Sequence, residues 1–145
     1  MEWNKLVPEC VVANYERSKK FYIEVFGFKL MFERPESRFG YLDLDGAQIM
    51  LLEGSHMKTP GQPDMHPNEK QFHFQIEVEK LAPLIERLAA HEVSLIAPCT
   101  ESWYRVDELE HGQIEFFVAD PDGFLFRFYE PLGERPVKSS AVLLA

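Results

Sequence analysis

Apolar and polar positions change period several times along this chain, and each change marks an element. Residues 6–12 read as a strand. Asn14 offers an N-cap and Glu16 falls in the first turn of a helix that presents Phe21, Tyr22, Val25 and Phe26 on one side and stops at Gly27. Three strands are predicted next, over residues 28–34, 39–44 and 47–53. Asp45 and Gly46 form a hairpin signal between the last two. Residues 54–70, with Pro60, Gly61, Pro63 and Pro67, follow neither period and read as a linker.

The same order then begins again. Residues 71–78 alternate as a strand, and Leu81, Leu84, Ile85, Leu88 and Ala89 mark a helix with Pro83 in its first turn. Strands are predicted at 93–97, 113–119 and 124–130, the last two flanking Asp120, Pro121, Asp122 and Gly123. Val12 and Val78, like Gly27 and Val93, stand 66 residues apart, whereas Asp45 and Asp122, like Glu53 and Glu130, stand 77 apart. The difference of 11 residues is assigned to an insertion at 100–112. The pattern therefore predicts one α+β domain of two tandem β-α-β-β-β modules, at 5–53 and 71–131. The linker joins them, and a peripheral tail at 132–145 follows.

Strand alternation also divides the side chains between two faces. Phe72, Phe74, Ile76 and Val78 belong with the helix, as do Phe124, Phe126, Phe128, Ile49 and Leu51. The opposite face receives His73, Gln75 and Glu77, then Leu125, Arg127 and Tyr129, then Gln48, Met50 and Leu52, and finally Val7, Glu9 and Val11. That mixture of polar, aromatic and charged groups suits the lining of a cavity better than a solvated surface or a core.

Composition narrows the function classes. A chain of 145 residues with 46% hydrophobic residues and 12 Phe buries a real core as one domain. The net charge of −9 disfavours nucleic acid and anionic membranes and attracts cationic ligands, although it also serves plain solubility. Cys10 and Cys99 are isolated and give no metal or redox spacing. No apolar run reaches the length of a membrane span, and the start lacks the pattern of an export signal. The expectation is a cytoplasmic protein with no nucleic-acid or membrane partner.

Two motifs carry a resemblance. Val12, Asn14, Ser18, Phe21 and Tyr22, ending at Gly27 and Phe28, resemble the opening V-x-D-L-x-x-S-x-x-F-Y…L-G-F signature of the vicinal oxygen chelate (glyoxalase/bleomycin resistance) superfamily. Asp120-Pro121-Asp122-Gly123-Phe124 with Arg127-Phe128-Tyr129-Glu130 is similar to its second signature. The resemblance covers about residues 5–133 and implies a cupped mixed sheet with helices on the outer face. It also implies four metal-ligand positions, which carry over to Val7, Met50, His73 and Arg127. Only His73 suits a divalent ion: Val7 has no donor, Met50 offers a soft thioether, and the Arg127 cation repels a dication. The expectation is a chain with no metal and no cofactor.

Among the metal-free members, the chain most resembles the bleomycin resistance type, an acidic dimer that sequesters a large cationic glycopeptide in crevices shared between subunits. Pro8 in the first strand, the Trp103-Tyr104 pair and the G-x-x-E-F segment from Gly112 to Phe116 carry that resemblance. Such capture needs aromatic plates and carboxylates. The candidate ligand-binding residues are Glu9, Met50, His73, Gln75, Trp103, Tyr104, Arg105, Glu115, Phe117, Arg127 and Tyr129, with Glu77 as further charge. The expected function is stoichiometric binding of a small molecule, a bleomycin-type antibiotic, by a homodimer. The alternatives are catalytic. One is a metal-dependent lyase, isomerase or dioxygenase using Glu9, His73 and Glu53 or Glu130. The other is metal-free acid–base chemistry with His73 as proton carrier and Arg127 stabilising an oxyanion.

Overall fold

The structure is a computed structural model that describes residues 2–54 and 73–137. The predicted linker after Gly54, the Phe72 position and the last eight residues of the predicted tail lie outside the described residues.

Strand β1 (Glu9–Val12) leads to helix α1 (Tyr15–Phe21), which widens into a π-helical turn over Tyr22–Phe26. The Asn14 side chain accepts from the Arg17 amide at 3.0 Å and so starts the helix, and Gly27 ends it at φ 87°. Strands β2 (Lys29–Arg34), β3 (Phe39–Leu44) and β4 (Ala47–Glu53) complete the first module. The second contains β5 (Phe74–Glu77), α2 (Ala82–Ala90), β6 (Ala97–Val106), β7 (Leu109–Ala119) and β8 (Leu125–Pro136). Each module forms its own four-stranded sheet, ordered β1-β4-β3-β2 in one and β5-β8-β7-β6 in the other. β1 runs parallel to β4 and β5 parallel to β8, and the remaining pairs are antiparallel.

The registers display the internal repeat directly. Glu9 stands opposite Met50, and Gln75 stands opposite Arg127, which reproduces both offsets read from the sequence. Phe32 faces Tyr41 in the first module, and Ala97 faces Phe117 in the second, so the 11 extra residues fall within the β6–β7 hairpin. They form no loop. The predicted insertion at 100–112 continues both strands as a long hairpin arm, with Trp103 opposite Gly112 and Val106 opposite Leu109. Two further boundaries differ. The strand expected at 93–97 begins only at Ala97, and the expected tail runs on in β8, where Pro136 pairs with Leu109. Both faces of the arm meet solvent, so its strands lack the apolar contrast by which a half-buried strand is read.

The two helix-side faces share one core. Phe26 packs on Phe126 and Phe128 at ring separations of 5.0 and 5.1 Å, and Tyr22 meets Phe126 at 5.8 Å. The Tyr22 hydroxyl donates to Asp120 Oδ2 at 2.8 Å, and Asp122 accepts from the Ala13 amide and the Ser18 hydroxyl. Arg87 of α2 donates to the Val25 carbonyl at 3.1 Å. The first module's helix is thus clamped between the two sheets. Packing of this kind turns the Leu42 and Ile49 side of the first sheet and the Phe126 and Phe128 side of the second into one core.

Candidate functional site

The open face of the second sheet holds a pocket of about 580 Å³, lined by Gln75, Glu77, Arg127 and Tyr129 from its inner strands and by Tyr104, His111 and Gln113 from the arm. Alternation places them there. Gln75 and Glu77 flank the buried Ile76, and Arg127 and Tyr129 flank the buried Phe128.

Arg127 is the centre of the arrangement. Its Nη1 donates to Gln75 Oε1 at 3.0 Å and lies 3.7 Å from Glu115 Oε2, while its guanidinium carbon sits 4.9 Å from the centroid of the Phe117 ring. Glu115 is buried, at 6% exposure. Burial pushes its carboxyl up, but hydrogen bonds from Tyr104, Gln113 and Ser102 together with the Arg127 charge outweigh that effect and hold it below the usual range. The Gln113 amide donates to Glu115 Oε2 at 2.6 Å, and the Tyr104 hydroxyl donates to Oε1. A cation and a buried anion therefore neutralise each other in the floor. Nearer the mouth, Tyr129 donates to Glu77 at 3.1 Å, and burial followed by the Glu77 contact raises the phenol. Glu134 lies 3.7 Å from His111 Nε2. Among the described residues, Glu77 and Glu134 are the lining carboxylates without a fixed cationic partner.

The structure brings together Gln75, Tyr104, Glu115, Phe117, Arg127 and Tyr129 from the predicted set, with His73 beside them, its ring edge-on to Phe117 at 5.3 Å. Glu9 and Met50 lie on the other sheet, opposite one another, and do not reach this pocket. Trp103 and Arg105 lie on the other face of the arm from this pocket. Tyr104, Ser102 and Thr100 share the face of Gln113 and Glu115, so the odd-numbered neighbours point the other way. Trp103 lies against Gly112, its indole donates to Glu101 at 3.0 Å, and Arg135 stacks on it at 3.9 Å. His111, Gln113, Val106 and Glu134 were missed. Their signal was the two-residue step from Tyr104 to Val106 and from Glu115 back to His111, weakened by the absence of any apolar contrast.

The residues at the four implied metal positions do not fit a divalent ion. Val7 brings no donor and Met50 only a thioether, and Met50 lies on the first sheet whereas Arg127 lies on the second. Among the described residues no group of three His, Cys, Asp or Glu side chains could hold a metal. Two carboxylates of the displaced set are engaged in the fold. Glu53 accepts from the Tyr15 amide at 3.0 Å, and Glu130 accepts from the Leu81 amide at 2.9 Å, so each secures the start of its module's helix on the side away from His73.

Comparison with known proteins agrees with this architecture. The pattern of the Glyoxalase/Bleomycin resistance protein/Dioxygenase superfamily matches residues 8–128. The chain belongs to that superfamily. Among solved structures, TioX from Micromonospora sp. ML1 superposes with a TM-score of 0.69 at 21% identity, covering 90% of this chain and 100% of that one. The integron cassette protein HFX_CASS4, from the mobile metagenome of Halifax Harbour Sewage Outfall, gives 0.56 at 25% identity over 88% and 99%. A lactoylglutathione lyase from Agrobacterium tumefaciens gives 0.59 at 15% identity over 88% and 92%. Comparison with curated proteins gives no match. The superfamily thus accounts for the fold and the two-module repeat, and among the described residues no helix is long and apolar enough to cross a membrane.

Proposed function

We propose that this member of the superfamily is a non-catalytic binding protein that captures a cationic, ring-bearing small molecule of the bleomycin type on the open face of its second module. The observation that carries the reading is Arg127. At one of the positions the superfamily resemblance assigns to a metal ligand, the chain places a guanidinium whose charge Glu115 already balances. Among the described residues, the pocket then has neither an unbalanced guanidinium to hold an oxyanion nor a donor set for a metal. What it keeps is Glu77 and Glu134 for a positive group and Tyr104, Tyr129 and His111 for flat rings. The chain's charge of −9 draws the same class of ligand.

The reading includes a homodimer. In it, a second copy of the chain covers the pocket. It also includes a cytoplasmic location, which suits a resistance protein acting on an antibiotic that has entered the cell.

Calorimetric titration with metal-free bleomycin tests the reading. Saturable binding at about micromolar affinity or tighter is expected. Glu77→Gln should weaken it about tenfold, and an absence of heat with the folded wild-type protein would refute it.

A further inference from the structure

The side of the first sheet away from the shared core carries a contact that the second sheet does not repeat. Tyr41 faces Met50 as Phe117 faces Arg127, so the internal repeat equates these two rings. Phe117 takes Arg127 and His73 against it. Tyr41 instead takes Phe32, stacked at 5.4 Å, and the Trp3 indole, edge-on at 4.8 Å. Trp3 also meets Phe32 at 5.6 Å. One side chain grips the backbone on both sides of that indole. The Gln48 amide donates to the Glu2 carbonyl at 2.7 Å, and its Oε1 accepts from the Asn4 amide at 2.9 Å. Gln48 is buried and held in place, because the Tyr41 hydroxyl donates to its Oε1 at 2.5 Å and its Nε2 donates to Asp43 at 3.1 Å. Asn4 Nδ2 adds a bond to the Gly46 carbonyl at 2.6 Å. A fixed carboxamide that meets one C=O and one N–H beside two aromatic rings suits a flat ring flanked by amides.

We propose that Glu2, Trp3 and Asn4 form an autoinhibitory strap, in which Trp3 occupies an aromatic-amide site on the first module in cis and keeps free ligands of that chemistry out. This site is separate from the Arg127 pocket and does not depend on the capture reading. Two observations distinguish a strap from ordinary packing. Trp3 stands outside the hydrophobic cluster that the modules share, so the segment can lift while that core stays intact. Lifting it also strips buried Gln48 of one donor and one acceptor, a loss that only a ligand with the same pair of groups makes good. Being tethered, the strap acts at an effective concentration of about millimolar or above, which sets the competition a free ligand must win.

N-acetyl-tryptophanamide, an indole between two amides, is the probe. Equilibrium dialysis compares its binding to the wild type, to Trp3→Ala and to the double variant Trp3→Ala with Gln48→Leu, each first shown to unfold cooperatively on heating. Trp3→Ala is expected to take up one probe per chain about tenfold more tightly than the wild type, since the cis competitor is gone. The double variant should lose that gain, because the probe's amides no longer find the carboxamide. Equal affinities of the wild type and Trp3→Ala, or a gain that survives the loss of Gln48, would overturn the proposal. Asn4→Ala decides the matter if the double variant does not fold. It loosens the strap through the Gly46 bond and leaves both rings and Gln48 in place, so it should bind the probe about threefold more tightly than the wild type. No gain in Asn4→Ala would equally overturn the proposal.

Discussion

Arg127 Nη1 stands 3.7 Å from Glu115 Oε2 and 3.0 Å from Gln75 Oε1, so this arginine is built into the pocket floor and does not reach out of it. A guanidinium at a metal position could mean an anion site or a neutralised one. The buried Glu115, itself held by Tyr104 and Gln113, decides for the second.

Glu115→Gln should therefore invert the ligand preference. Losing that carboxylate frees one positive charge in a site shielded from solvent, and affinity for a cationic ligand should fall about tenfold. The double variant with Arg127→Gln should regain most of the loss, because the pocket charge returns to its original value. Calorimetry on the two proteins at low and high salt checks both statements. Equal affinities of Glu115→Gln and wild type would mean that Arg127 is screened by something other than Glu115.

The arm makes a separate prediction. A Cβ at Gly112 would come within 2.5 Å of the Trp103 ring, closer than any real contact. Gly112→Ala should destabilise the protein by about 1–3 kcal/mol, read from thermal or urea unfolding. Combining it with Trp103→Ala should cost less than the two changes added, since the clash disappears with the ring.

Much of this was legible in the sequence. The parity that buries Phe126 and Phe128 and opens Arg127 and Tyr129 follows from strand alternation alone, and the offsets that pair Glu9 with Met50 also pair Gln75 with Arg127. Hydrophobic contrast is what made those strands readable. It vanishes in the arm, where Tyr104 and Trp103 both meet solvent on opposite faces, and so Trp103 and Arg105 were assigned to a pocket they turn away from. The back-to-back packing of the modules was hidden for another reason. Periodicity tells which face of a sheet is covered and not which element covers it. The contact between Phe26 of one module and Phe126 of the other depends on distant parts of the chain.

That inter-module contact has a pH signature. Asp120 is raised to about 6, mainly by burial, against the donating Tyr22 hydroxyl and the Phe124 and Asp122 amides. Its folded-state pKa lies above the unfolded one, so the folded state holds the extra proton between roughly pH 4 and 6. Its contribution to stability therefore falls as pH rises through that window, by at most about 3 kcal/mol. The difference in unfolding free energy between wild type and Asp120→Asn, measured from pH 4 to 7, should change in that direction. A flat difference would show that Asp120 stays ionised beside Tyr22.

The central claim is capture without a metal, and one comparison tests it most directly. The chain is treated with chelator and titrated calorimetrically with metal-free bleomycin, then titrated again with added zinc or manganese. The account predicts one saturable site per chain with the same affinity in every titration. Binding that appears only with the divalent ion, or turnover of a superfamily substrate that the ion switches on, would contradict it.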